Sequence, residues 1–272
     1  MADSLDDDWW SKSENVENDS KHITDAEEKK VKRKADHSST ADKKSSKKRK
    51  KNLTSGKKHE RKRITDESEE KLSTSGNADD VKSMILKVLR GKADEGLLED
   101  LLPDPENDFY PHNVEQLGPS EYLAHILPKW KISVKKSLHM KKNGSPILLI
   151  VTSSAIRAVE LNRQIKEFLD GKCKSKVAKL FAKHMKIEDQ KKFLLKTNFQ
   201  VGIGTPSRLL LLIKQGVLQL ESLIAVVLDW NWRDTKLKRM TDIPEVRQDV
   251  VMLLKDFVIE AVKGSSCRLA LL

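Results

Sequence analysis

Apolar residues are distributed along this chain with two different periods. Five stretches, 147–152, 177–182, 199–204, 223–229 and 267–271, are apolar at almost every position, as strands are when both faces of their sheet are covered. The segments between them, about 155–169, 187–195, 205–215 and 244–262, repeat their apolar residues at helical spacing. In the last of these, Val246, Val250, Leu253, Leu254, Phe257 and Ala261 form one stripe. Strands and helices alternating in this order predict βαβ units. The expected fold is therefore α/β, a three-layer domain around a mostly parallel sheet.

Upstream the pattern is weaker. Val81, Ile85, Leu86, Val88 and Leu89 fall at near-helical spacing, and a connector with Pro103, Pro105, Pro111 and Gly118 follows. Ser120 is a candidate cap for a short helix carrying Leu123, Ile126 and Leu127, which Pro128 ends. Residues 1–78 have few apolar positions and no sustained period, so they cannot bury enough surface to offset the entropy of ordering. The expected organisation is a disordered arm over 1–78 and one folded domain over 79–272.

Charge sharpens this division. The chain of 272 residues carries 52 Lys+Arg against 41 Asp+Glu, a net +11. Residues 1–28 hold ten acidic and two basic residues, and residues 29–63 hold seventeen basic and three acidic. The acidic start contains Trp9 and Trp10 after Asp6, Asp7 and Asp8, a candidate docking motif for a partner protein. In the basic block, Lys43, Lys44, Lys47, Lys48, Arg49, Lys50 and Lys51 read as a nuclear localisation signal or a polyphosphate-binding patch. The first ten residues lack the apolar region of a secretory signal, and no run reaches the length of a membrane span. Two cysteines, Cys173 and Cys267, exclude a disulfide framework, and the seven histidines show no ligand spacing, so no metal site is expected.

In an open parallel sheet, ligands bind beyond the carboxyl ends of the strands. Those ends read Ser153-Ser154 leading to Arg157, Lys183-His184, Thr205-Pro206-Ser207-Arg208, and Asp229-Trp230-Asn231-Trp232. Hydroxyls and cations at three of the four suit a polyanion. Thr205 suits an N-cap and Pro206 the first helical position, so free backbone N–H groups would face a phosphate there, with Arg208 one turn in. A plain structural cap is the alternative. Trp230 and Trp232 alternate past a strand end, so one can pack inward while the other offers a stacking surface or a docking anchor.

The order of these motifs resembles the first RecA-like domain of DEAD-box RNA helicases. Ser154-Ala155-Ile156-Arg157-Ala158-Val159-Glu160-Leu161 stands where the helicases have Pro-Thr-Arg-Glu-Leu, and Thr205-Pro206-Ser207-Arg208-Leu209 stands for Thr-Pro-Gly-Arg-Leu. Val226-Val227-Leu228-Asp229 stands for the strand ending in Asp-Glu-Ala-Asp. The resemblance implies a RecA/Rossmann-like fold of the P-loop NTPase type. It also implies an RNA-backbone contact at Arg157, Thr205 and Arg208, beside which Ser154 and Pro206 are candidates as neighbours in the same motifs, and Lys183 and His184 as a strand-end cation and imidazole that could touch phosphate or be plain exposed loop residues. The departures argue against catalysis. None of the eleven glycines lies in a Gly-x-x-x-x-Gly-Lys-Ser/Thr loop, Trp230 replaces the catalytic carboxylate, and Lys183-His184 replaces a Gly-Gly turn. The sequence also ends in the strand that would precede the next helicase motif, so no second RecA-like domain is expected.

A second resemblance is more specific. The acidic Asp-Asp-Trp-Trp start, Leu180-Phe181-Ala182-Lys183-His184, and Asp229-Trp230-Asn231-Trp232-Arg233-Asp234 followed by Asp242-Ile243-Pro244-Glu245 resemble the Cms-one family of small-subunit pre-ribosomal proteins. That resemblance implies a nucleolar, non-catalytic factor without cofactor or small-molecule substrate. Its partners would be pre-rRNA or small nucleolar RNA and ribosome assembly factors. The alternatives are a protein-docking module, with Trp9, Trp10, Trp230 and Trp232 as anchors, and a weak ATPase or helicase partner.

Overall fold

The computed structural model describes residues 75–92, 98, 101–169, 175–183, 185–264 and 267–272. Trp9, Trp10, the lysine block 43–51, Cys173 and His184 lie outside the described residues. Five strands, β1 (Leu148–Val151), β2 (Val177–Leu180), β3 (Val201–Gly204), β4 (Ala225–Leu228) and β5 (Arg268–Leu271), form one sheet in the order β2-β3-β1-β4-β5. Every pairing is parallel, and Leu148 lies level with both Val201 and Ala225. All five carboxyl ends therefore fall along one edge.

The continuous apolar runs are explained by two cores, one on each face. Leu149, Val151, Leu180, Val226, Leu228, Leu269 and Leu271 point into one, and Leu148, Ile150, Val201, Ile203, Val227 and Ala270 into the other. The first core is closed by α1 (Ala78–Leu89), α6 (Ile187–Lys196), α7 (Pro206–Lys214), α8 (Pro244–Leu253) and α9 (Ile259–Gly264). The second is closed by α2 (Pro119–Ile126), α3 (Trp130–Met140), α4 (Ala155–Gln164) and α5 (Lys166–Leu169). Connections running toward β5 place their helices on the first face. The connection from β1 back to β2 uses the second face, as one shared crossover hand requires.

Several local expectations are corrected. The helix near 120 begins at Pro119 after Gly118, and the Ser120 hydroxyl instead donates to the Gln164 carbonyl at 2.8 Å. The single helix expected over 155–169 is broken at Ile165 into α4 and α5. A π-helical turn, Leu254–Val258, separates α8 from α9. One extra residue in that turn rotates the stripe, so Val258 and Val262 are buried where Phe257 and Ala261 were expected. Helix α3 was not anticipated. Among the described residues, no helix is long and apolar enough to cross a membrane.

Candidate functional site

The strand order creates a crevice at a definite place. The chain leaves β1 over one face of the sheet, whereas it leaves the neighbours β3 and β4 over the other. Helices thus diverge on both sides of the β1 carboxyl end, which is the switch-point geometry where α/β sheets bind ligands. Thr152, Ser154, Thr205 and Asp229 surround this point.

The protein fills the crevice with its own side chains. Ser154 is the N-cap of α4, its Oγ accepting from the Arg157 N–H at 3.2 Å, so Arg157 starts one turn inside a fixed helix. From there Arg157 Nε donates to Asp229 Oδ2 at 2.9 Å and Nη2 to Asp229 Oδ1 at 3.0 Å. Its Nη1 donates to Glu160 Oε2 at 3.2 Å and to Gln164 Oε1 at 3.1 Å. The guanidinium also lies 5.0 Å from the ring centre of Trp232, a cation–π contact. Arg157 is 6% exposed and Asp229 1%, a bidentate pair out of water. Burial pushes the Asp229 carboxyl up, and the Arg157 hydrogen bonds oppose that shift. Asp229 thus pairs with Arg157, while Arg233 Nη1 donates to the Leu237 carbonyl. Arg157 offers no open fork to a phosphate, because its donors are committed inside the protein.

The turn after β4 is held from several sides. Trp230 is 3% exposed, and its buried Nε1 has no hydrogen-bond partner. It is packed directly against Gly76, where any side chain would collide with the indole. Asn231 Oδ1 accepts from the Gly76 N–H at 2.8 Å, its Nδ2 donates to Ser75 Oγ, and its own N–H donates to the Leu272 carbonyl. Trp230 therefore cannot serve as a docking anchor in this arrangement. Trp232, half-buried, remains at the surface.

The start of α7 is more open. Thr205 is the N-cap, yet its hydroxyl makes no capping hydrogen bond, and Pro206 in the first turn is buried. Ser207 is exposed. Gly204 lets β3 approach β2 closely enough for the Thr205 N–H to donate to the Leu180 carbonyl at 3.1 Å. Arg208 is half-buried and partly committed: Nη1 donates to Gln190 Oε1 at 3.1 Å and Nη2 to the Met185 carbonyl at 3.3 Å. Burial pushes its guanidinium below the ordinary value. These bonds tie α7 to α6 and to the β2–α6 loop, which carries the exposed Lys183. The structure thus brings Lys183, Thr205, Ser207 and Arg208 together at one end of the carboxyl edge, while Ser154 and Arg157 are spent on the crevice beside it. Glu160 and Gln164 complete the Arg157 network and were not singled out from sequence. Among the described residues, no group of His, Cys, Asp and Glu is arranged to hold a metal ion.

Comparison with known proteins fits the second resemblance. Protein CMSS1 of Homo sapiens is 40% identical over 222 residues, spanning 81% of this chain and 76% of its own. Protein CMSS1 of Xenopus laevis is 40% identical over 210 residues, spanning 77% and 73%. Among solved structures, a DEAD box protein from the hyperthermophile Methanococcus jannaschii is similar over 47% of this chain and 30% of its own, at 24% identity and a TM-score of 0.31. The family model CMS1, described as U3-containing 90S pre-ribosomal complex subunit, matches residues 24–271, and the chain belongs to that family.

Proposed function

We propose that this chain is a non-catalytic RNA-binding and scaffold factor of early small-ribosomal-subunit assembly, acting in the nucleolus. The observation that carries the reading is the filled crevice. Where an α/β sheet of this topology would take a ligand, Arg157 and Asp229 satisfy one another and Trp232 lies against them. The groups left facing water at the same edge, Lys183, Ser207 and the uncommitted Thr205 hydroxyl, are donors suited to a sugar-phosphate backbone. Of the first-turn N–H groups of α7 only that of Ser207 adds to them, because Pro206 has none and the Arg208 N–H donates to the Thr205 carbonyl. On this reading the basic block within residues 29–63 supplies nuclear targeting and salt-sensitive affinity, and the folded domain, which Gly76 and Ala78 already join, supplies position. The RNA partner is pre-rRNA or small nucleolar RNA within the particle, alongside assembly factors.

The test is RNA crosslinking in cells with mapping of the crosslinked peptides, repeated with a Lys183→Glu, Ser207→Glu double variant. Both positions are exposed, so the variant keeps the fold. Crosslinks at 183 and 205–208 that the variant loses are the expected result. Crosslinks confined to 29–63 would overturn the RNA contact by the folded domain.

One observation favours a second reading. Trp232 stays at the surface with a guanidinium beneath its ring, a rigid aromatic anchor of the kind that dominates protein interfaces. Loss of particle association in Trp232→Ala, with RNA affinity intact, would favour a protein-docking module.

A further inference from the structure

Helix α3 is strongly and one-sidedly cationic. Residues 129–142 contain six lysines and one histidine and no acidic residue. Trp130, Val134 and Ser137 are its buried positions, and all seven cations are exposed. The first turn holds no acid although Lys129 and Lys131 stand there, the unfavourable end of the helix dipole for cations. Lysines at i and i+4 also repel, which destabilises an isolated helix. Lys142 is compensated by Glu221 at 3.4 Å. A helix that breaks two local rules in this way marks a surface kept for a ligand of opposite charge.

Its geometry narrows the ligand. At 3.6 residues per turn the solvent face presents two adjacent rows, Lys131-Lys135-His139 and Ile132-Lys136-Met140, with successive members about 6 Å apart along the axis. Ile132 is 66% exposed and Met140 46%, so apolar surface is interleaved with the cations. The helix is firmly held. Trp130 packs on Phe168 with ring centres 5.1 Å apart, and Asn198 Nδ2 donates to the Ser137 carbonyl. A groove of about 260 Å³, lined in part by Lys136, Met140, Ile147 and Ser222, opens beside its carboxyl-terminal half. Ile147 and Ile224, also in that lining, precede β1 and β4, so this surface borders the amino edge of the sheet, opposite the candidate site.

We propose that α3 is a second RNA-binding surface, with Lys131, Lys135 and Lys136 on successive phosphates and Ile132 and Met140 against sugars or base faces. A regularly spaced row of point charges on a rigid helix suits a polymer with a regularly repeating anion. The interleaved apolar side chains suit the unstacked faces of single-stranded RNA. The proposal deepens the RNA-binding reading but uses different residues on the opposite edge.

The experiment uses the full chain with Lys43, Lys44, Lys47, Lys48, Lys50 and Lys51 replaced by Ser, so that the arm does not dominate. Binding to a labelled 20-nucleotide single-stranded RNA is followed by fluorescence anisotropy across a salt series. Lys131→Glu, Lys135→Glu, Lys136→Glu together should weaken binding at least about tenfold and lower the salt slope by about 2, from roughly 0.7 per lost phosphate. RNA should also protect these lysines from acetylation more than poly-glutamate does. Binding within twofold of the parent at an unchanged slope would overturn the proposal. So would protection by poly-glutamate and not by RNA, which would assign the surface to an acidic protein. The Lys183→Glu, Ser207→Glu variant in the same assay reads the carboxyl edge separately, so either surface can fail alone.

Discussion

Removing the Asp229 carboxylate tests the plugged crevice most directly. In Asp229→Ala, Arg157 loses the acceptors of Nε and Nη2, at 2.9 and 3.0 Å, and keeps only the Nη1 bonds to Glu160 and Gln164. The guanidinium stays under Trp232 with little access to water, and a buried charge stripped of its partner costs about 3–5 kcal/mol. For a domain of this size that corresponds to a fall in Tm of roughly 6–20 °C. Asp229→Asn retains one acceptor but turns an amide N–H toward the guanidinium, so about 2–3 kcal/mol is expected. Glu160→Ala removes a half-exposed partner and should cost about 1 kcal/mol or less. Arg157→Met with Asp229→Leu removes both charges, and the double variant should regain most of the loss. Urea unfolding of the four variants, read as midpoints at constant m, separates these cases. A cost below about 1 kcal/mol for Asp229→Ala would refute the buried pair. A double variant no more stable than Asp229→Ala would refute the coupling.

Two further outcomes follow from the fold. Burial pushes the Cys267 thiol up to about 12 and the Tyr122 hydroxyl up to about 12, from ordinary values of 9.0 and 10.0. Between about pH 9 and 12 the unfolded chain therefore binds fewer protons at these groups than the folded one, so stability falls as pH rises, by about 1.4 kcal/mol per unit for each group in its window. Native Cys267 should accordingly resist alkylation at pH 8.5 until denaturant is added; modification at the rate of an unfolded thiol would contradict its burial. In Gly204→Ala the new methyl would collide with the Leu180 carbonyl and stand 2.8 Å from the Leu180 Cβ, forcing β2 and β3 apart. Loss of about 1–3 kcal/mol in thermal or urea unfolding is expected, and no change in midpoint would refute the close approach.

How much of this was legible in the sequence depended on how many residues each feature involved. The strands are legible because both of their faces are apolar, a signal carried by almost every position, Lys179 and Arg268 excepted. Helix α3 escaped because only Trp130 and Val134 carry its buried face, with Ser137 as the third buried position, while lysines dominate the segment. The stripe of 244–262 was placed one residue off after Leu254, since nothing in its composition announces a π-helical turn. Arg157 and Asp229 were both singled out, yet as separate groups. They lie 72 residues apart, and only the adjacency of β1 and β4 brings them together. An arginine one turn into a capped helix, with an aspartate ending a neighbouring strand, is the signal that could have found the pair.

Two arginines that look equivalent in sequence are held differently in the fold. Arg157 and Arg208 each follow an N-cap by three residues, at the ends of adjacent parallel strands. Arg157 is held by a buried carboxylate, so replacing it perturbs folding first and any ligand second. Arg208 is held by Gln190 and a backbone carbonyl, neutral acceptors at 3.1 and 3.3 Å on a half-buried side chain. Neutral acceptors leave its charge uncompensated, and that charge still acts on the exposed Ser207 and Lys183 beside it. Replacing Arg208 would nevertheless strip a partner from Gln190, which is 1% exposed, at about 1–3 kcal/mol. Variants at either arginine thus mix stability with binding. Glutamate in place of Lys183 and Ser207 on one edge, and of Lys135 and Lys136 on the other, changes the surface potential without removing a buried partner. RNA affinity measured on those variants reports recognition, and the arginine variants report the integrity of the edge that supports it.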